Sequence, residues 1–203
     1  MKTFEKLYQS SHNIGEFAQG YFSHLKSVLD KMELHALTQL EAEFEDARKN
    51  GNTIFVVGNG GSATTASSMA NDIGFDIIKK TGVKNPFRLL ALTDNNAVLT
   101  AIANDVGYDN VFISQLKIHY RTGDKLLVIS ASGNSENIVR AANWVKEQGG
   151  KIIGFLGFEG GKLKEISDIV IHATTEAGEY GPVEDVHLII NHVLAHWFQE
   201  KLK

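Results

Sequence analysis

The sequence contains no cysteine, which excludes disulfides, thiol nucleophiles and thiolate metal ligands together. Proline is nearly absent, with only Pro86 and Pro182 in 203 residues, and no low-complexity linker interrupts the chain. No apolar run approaches membrane-spanning length. The opening stretch MKTFEKLYQSSHNIG lacks the apolar core of a secretory leader, so the cytoplasm is the expected location and no membrane partner is expected. Basic residues are scarce: 20 Lys and Arg against 24 Asp and Glu give a formal net charge of −4, with no basic block. A direct nucleic-acid partner is therefore not expected, because such partners need a clustered positive surface.

What is present is the pattern of one globular α/β domain. Ile14, Phe17, Ala18, Tyr21, Phe22, Leu25, Val28, Leu29 and Met32 recur at steps of three and four, the stripe of an amphipathic helix. A second stripe, Leu34, Leu37, Leu40, Phe44 and Ala47, ends at Gly51, a suitable C-cap. Residues 1–50 are thus a helical extension whose apolar surplus suits oligomerisation, and 51–203 form the remainder of a single structural domain. From Thr53 onward short apolar runs alternate with helical stretches. The runs are Thr53–Val57, Phe87–Leu92, Lys125–Ser130, Lys151–Leu156 and Asp168–Ala173. Strands alternating with helices predict five parallel strands covered on both faces, a doubly wound, flavodoxin-like sheet. The chain closes on a helix from about Val183 to Lys203, with Pro182 placed to start it.

In such a sheet, ligands bind beyond the carboxyl ends of the strands, where loops feed helix N-termini. Two loops there are unusual. Gly58-Asn59-Gly60-Gly61-Ser62 follows the first apolar run, and its glycines let backbone N–H groups approach an anion closely. Ser130-Ala131-Ser132-Gly133-Asn134-Ser135 follows the third, and three hydroxyls at a helix start near Glu136 supply neutral donors beside a positive dipole end. Either loop alone could be only a tight connection with an N-cap. Their occurrence at equivalent ends of two strands points to a phosphate monoester. A dinucleotide site fits poorly, because Asp94 lies well beyond the spacing of about 20 residues at which a ribose-binding acid is expected. No Gly-Lys-Ser/Thr follows the glycines, so a P-loop is excluded.

The stretches VVGNGGSA (56–63), LTDNNAVLTAIANDVGYDNVF (92–112), VISASGNSENIVRA (128–141) and IIGFLGFEGG (152–161) resemble the sugar isomerase (SIS) domain family, in its phosphoheptose isomerase branch. The resemblance implies Ser62, Ser130, Ser132 and Ser135 around a phosphate, with Asn59 and Asp94 near sugar hydroxyls. Gly60, Gly61 and Asn134 complete the two loops, and the resemblance implies sites completed across a homotetramer. The sequence also departs from that branch. The branch carries a histidine and then a glutamate on the helix after the first loop, where this chain has Ser68 and Asp72. On the last helix its glutamine and histidine correspond to Glu184 and His192. An arginine, a threonine and an aspartate of the branch become Asp76, Ala131 and Gly181.

The implied reaction is aldose–ketose isomerisation of sedoheptulose 7-phosphate or a related sugar phosphate through an enediol. It needs a base beside carbon and an acid for the carbonyl oxygen. Asp72 and Glu184 are the candidate bases and His192 the candidate acid, while His187 and His196 read as structural. Asp72, Glu184 and His192 would also offer a nitrogen and two carboxylates to zinc, although Ser68 is a poor substitute for the family's histidine. The alternative is a non-catalytic phosphosugar-binding or partner-binding regulator. One branch of the family binds a replication-initiator protein, but it lacks the last-helix histidine that His192 represents here.

Overall fold

The computed structural model describes residues 2–203. Three helices open the chain, α1 (Thr3–Ser10), α2 (Ile14–Leu29) and α3 (Leu34–Asn50). Asn13 caps α2 by accepting a hydrogen bond from the Glu16 amide at 3.1 Å. Met32, counted into the α2 stripe by periodicity, lies past the helix end yet still packs on the core. Gly51 terminates α3 in the left-handed conformation, as its position implies.

Five strands follow: β1 (Thr53–Gly58), β2 (Arg88–Ala91), β3 (Lys125–Ser130), β4 (Lys151–Gly157) and β5 (Ile169–Ala173). They pair in the order β2-β1-β3-β4-β5, every pairing parallel. β3 is buried along its whole length, which is why LLVIS is continuously apolar rather than alternating.

The helices divide between the two faces. On one, Leu40, Phe44 and Ala47 of α3 pack with α4 (Gly61–Met69), α5 (Ile77–Thr81) and α10 (Tyr180–Lys201) against Ile54, Val56, Leu127, Ile129, Ile153 and Phe155. On the other, α7 (Ile113–His119), α8 (Glu136–Glu147) and α9 (Gly161–Ile166) cover Phe55, Val57, Leu126, Val128, Ile152 and Leu156, beside α6 (Asn96–Asp105). The alternation within each strand assigns successive residues to opposite cores.

Two departures from periodicity bear on function. Residues Ala70–Asp76, between α4 and α5, form a π-helical segment, an insertion that rotates the side chains after it and is common at functional positions. The last helix starts at Tyr180, so Pro182 occupies the first turn rather than the first position, and Glu184 sits one residue beyond that turn.

Candidate functional site

The heads of α4 and α8 converge at the carboxyl ends of β1 and β3, the neighbouring strands where the chain reverses its direction of travel across the sheet. There a cavity of about 270 Å³ is lined by Asn59, Gly60, Gly61, Ser62, Ser130, Ala131, Ser132 and Ser135, with Tyr180 and Glu184 from the start of α10. Amides in the first turn of a helix lack intrahelical acceptors. Two such turns, with the serine hydroxyls between them, form a cradle for an anion that needs no lysine or arginine.

The loops are braced by hydrogen bonds within and around them. Ser130 Oγ accepts from the Gly133 amide at 3.1 Å. Asn134, absent from the cavity wall, donates to the Ser132 carbonyl at 3.0 Å and accepts from the Lys162 amide at 3.1 Å, tying the loop to α9. Gly133 has φ +65°, and a β-carbon there would overlap the Gly160 carbonyl, so the loop after β4 presses directly on the serine loop. Asn59 exchanges amide hydrogen bonds with Asn137 at 3.0 and 2.9 Å and accepts from the Tyr108 hydroxyl at 2.8 Å. Asp94 takes a hydrogen bond from Ser67 and stands outside the cavity wall.

The candidate acid–base residues separate into two groups. Glu184 lies in the cavity itself, its carboxylate packed on Gly61 so closely that any side chain there would collide with it. Burial, and then the charge of Asp185, raise its pKa above the usual carboxylate value. Asp72, on the π-helical segment, accepts from Asn191 at 2.7 Å and Asn71 at 2.9 Å, and His192 Nε2 stands 3.7 Å from its carboxylate. Eight residues of helix set His192 about 12 Å along the axis from Glu184.

The zinc set expected from Asp72, Glu184 and His192 is therefore not assembled within one chain. Among the described residues, no three His, Asp or Glu side chains come together around one point. Asp76, at the family's arginine position, is bound by Lys80 and Lys79 of α5, Lys80 foremost, which holds its pKa down. His187 is fully buried against the Leu156 carbonyl at 3.2 Å, and burial pushes its pKa down to about 4, consistent with a structural imidazole. His196 is exposed on the surface of α10.

Comparison with known proteins places this geometry. The sequence model described as the SIS domain matches residues 20–157, from within α2 to the end of β4. The chain belongs to the SIS domain family. It is 34 % identical over 152 residues to a phosphoheptose isomerase of Rhodospirillum rubrum, covering 75 % of this chain and 78 % of that protein. It is 32 % identical over 189 residues to the Aneurinibacillus thermoaerophilus phosphoheptose isomerase, covering 89 % and 92 %. The structure of the phosphoheptose isomerase GmhA from Neisseria gonorrhoeae superposes with a TM-score of 0.81 at 26 % identity, covering 93 % of this chain and all of that one. This SIS domain also uses residues that its loops did not announce. Tyr180 reaches the cavity wall from α10, and Asn137 and Tyr108 fix Asn59. These roles depend on contacts between distant segments, and no local spacing reveals them.

Proposed function

We propose that the protein is a phosphosugar aldose–ketose isomerase acting on sedoheptulose 7-phosphate or a closely related sugar phosphate. The observation that carries this reading is the placement of a carboxylate, Glu184, in the same cavity as two helix heads and the serine loop. A purely phosphate-binding pocket gains nothing from a second anion, whereas a proton-transfer site needs a base beside the bound sugar. The phosphate rests on Ser130, Ser132 and Ser135 and the amides at the heads of α4 and α8. Glu184 moves the proton between C1 and C2, and burial holds its pKa above the ordinary carboxylate range, which makes it a stronger base. In a 7-phosphate the reacting C1–C2 end is the one far from the phosphate, so it reaches past Glu184 toward Asp72, which Asn191 holds, and His192, the alternative base and the acid for the carbonyl oxygen. The names of the relatives support the heptose substrate.

The active unit is proposed to be a homotetramer in the cytoplasm, with residues 1–50 supplying contacts between subunits and residues 51–203 the phosphosugar site. Tyr8, Ile14 and Phe22 are largely exposed on the N-terminal helices, which supports assembly through them.

Hydrogen exchange at C1 and C2 in heavy water, followed by NMR, tests the chemistry. Glu184→Gln keeps shape and hydrogen bonding, removes the charge, and is expected to reduce exchange 10²–10⁴-fold with phosphosugar binding retained, the usual range for loss of a general base. His192→Ala is expected to impair turnover similarly. Full exchange in Glu184→Gln with loss in Asp72→Asn would move the base role to Asp72. Wild-type protein that binds phosphosugars but exchanges none of them would leave a binding regulator.

A further inference from the structure

The serine loop and the glycine turn account for a phosphate, and Asn59 offers a polar group to a sugar hydroxyl, but nothing in these loops presents an apolar face to the carbon skeleton. The cavity wall holds one aromatic side chain, Tyr180, the first residue of α10. It is 54 % exposed, so a substantial part of the ring is free to meet a ligand. The rest is fixed. Its ring meets Phe158 in an edge-to-face contact with centroids 5.1 Å apart and planes at 78°.

Phe158 is itself an unusual support. It is buried, and it is the only non-glycine among the described residues with positive φ, at 48°. A bulky residue holds that conformation only where its surroundings over-determine it. Here His172 Nε2 bonds the Phe158 carbonyl at 3.0 Å, and the loop carrying Phe158 is the one pressed against Gly133. The turn before α10 is pinned as well. Glu179 is buried and paired with His24 of α2 at 3.0 Å, and it also accepts from the Glu176 amide. Gly181 presents no side chain, and Pro182 is buried. The Glu-Tyr-Gly-Pro sequence therefore offers a single large group at the mouth of the cavity.

We infer that Tyr180 is the specificity-determining wall of the site, an aromatic platform against which the C–H face of a phosphosugar packs while its phosphate occupies the serine loop. This inference rests on the proposed phosphosugar site and names the part of it that distinguishes a sugar phosphate from phosphate alone. Aromatic rings are suited to the task because they present a large apolar face at low conformational-entropy cost. A ring already seated on Phe158 loses still less freedom when a ligand arrives.

Two ligands separate recognition of the skeleton from recognition of the phosphate: orthophosphate and sedoheptulose 7-phosphate, each titrated by calorimetry. Tyr180→Ala and Tyr180→Leu are expected to weaken sedoheptulose 7-phosphate at least tenfold and to leave orthophosphate within twofold of wild type. Tyr180→Phe is expected to bind both as wild type does, because the platform is the ring and not the hydroxyl. Equal weakening of both ligands would overturn the inference, because it would make Tyr180 a support for the loop. Unchanged affinity for sedoheptulose 7-phosphate in Tyr180→Leu would overturn it as well, with near-ultraviolet circular dichroism confirming that the variant is folded. These are binding measurements, so an isomerase reading lost for want of turnover leaves them intact. A wild-type protein that prefers orthophosphate to the sugar phosphate would remove the platform itself.

Discussion

His187 has its imidazole sealed between the end of β4 and α10, where one nitrogen meets the Leu156 carbonyl and Nδ1 has no partner among the described residues. Such a ring is stable only when neutral. Its pKa falls from 6.5 to about 4 on folding, so between those values the unfolded chain binds more protons than the folded one. Stability must then rise with pH across this window and drain away on acidification from about 6.5 toward 4. The 2.5-unit difference corresponds to about 3 kcal/mol at most. His187→Gln retains a donor for Leu156 and does not titrate. Urea midpoints measured from pH 7 to 4.5 should fall more steeply in the wild type than in this variant, and parallel curves would refute the assignment. Glu184 has the opposite character. Its pKa is raised by burial, so its ionised form is a cost to the fold at neutral pH, accepted at a position where a base is wanted.

At the scale of elements, the serine loop combines two properties that mutation can separate. Ser132 and Ser135 line the cavity and contribute hydroxyls, with only one weak internal bond between them, Ser132 Oγ accepting from the Asn134 amide at 3.3 Å. Ser132→Ala with Ser135→Ala should therefore weaken phosphosugar binding at least tenfold while the melting temperature stays within a few degrees, since hydrogen bonds to a charged acceptor contribute about 1.5–3 kcal/mol each. Gly133→Ala should do the reverse in order of damage, lowering stability first. It would force a side chain into the left-handed region and against the Gly160 carbonyl. A Gly133→Ala protein that melts with the wild type would show that the β4 loop yields easily.

The two loops were legible because their chemistry is local: small residues and hydroxyls directly after apolar runs, at the one place in a parallel sheet where helix heads gather. The strands were legible for a similar reason, and the five apolar runs match β1 to β5 within a residue or two. The π-helical turn that aims Asp72 leaves no mark in the spacing of apolar residues. Tyr180 and Phe158 meet only because β4 ends and α10 begins on the same side of the sheet. Glu184 and His192 illustrate a simpler limit of the sequence pattern. Eight residues share a broad helical face but are also two turns apart, and a face says nothing of height along it.

For the whole molecule, the sheet and both helical layers form one body, since α3 delivers Leu40 and Phe44 to the same core as α10. Outside that body, Ile14 is 81 % and Phe22 65 % exposed, and an apolar groove between α3 and α10 is lined by Leu37, Val193, Leu194 and Trp197. Ile14→Glu with Phe22→Glu should reduce the assembled state by light scattering without altering the helical content, as neither residue belongs to the core. An unchanged mass would remove the N-terminal helices from any subunit contact. The sheet order has a further effect, on the route by which the protein acquires its activity. β1 and β3 are adjacent in space, yet β2 and six helical segments separate them along the chain. Their pairing closes a long loop before any contact repays the entropy, which makes it an intrinsically slow step. The anion cradle is built from the ends of those two strands, so it cannot exist in a partly folded chain. A phosphosugar will thus find nothing to hold during early folding. It will act afterwards as a brake on unfolding, lengthening the lifetime of the finished molecule without hastening its formation.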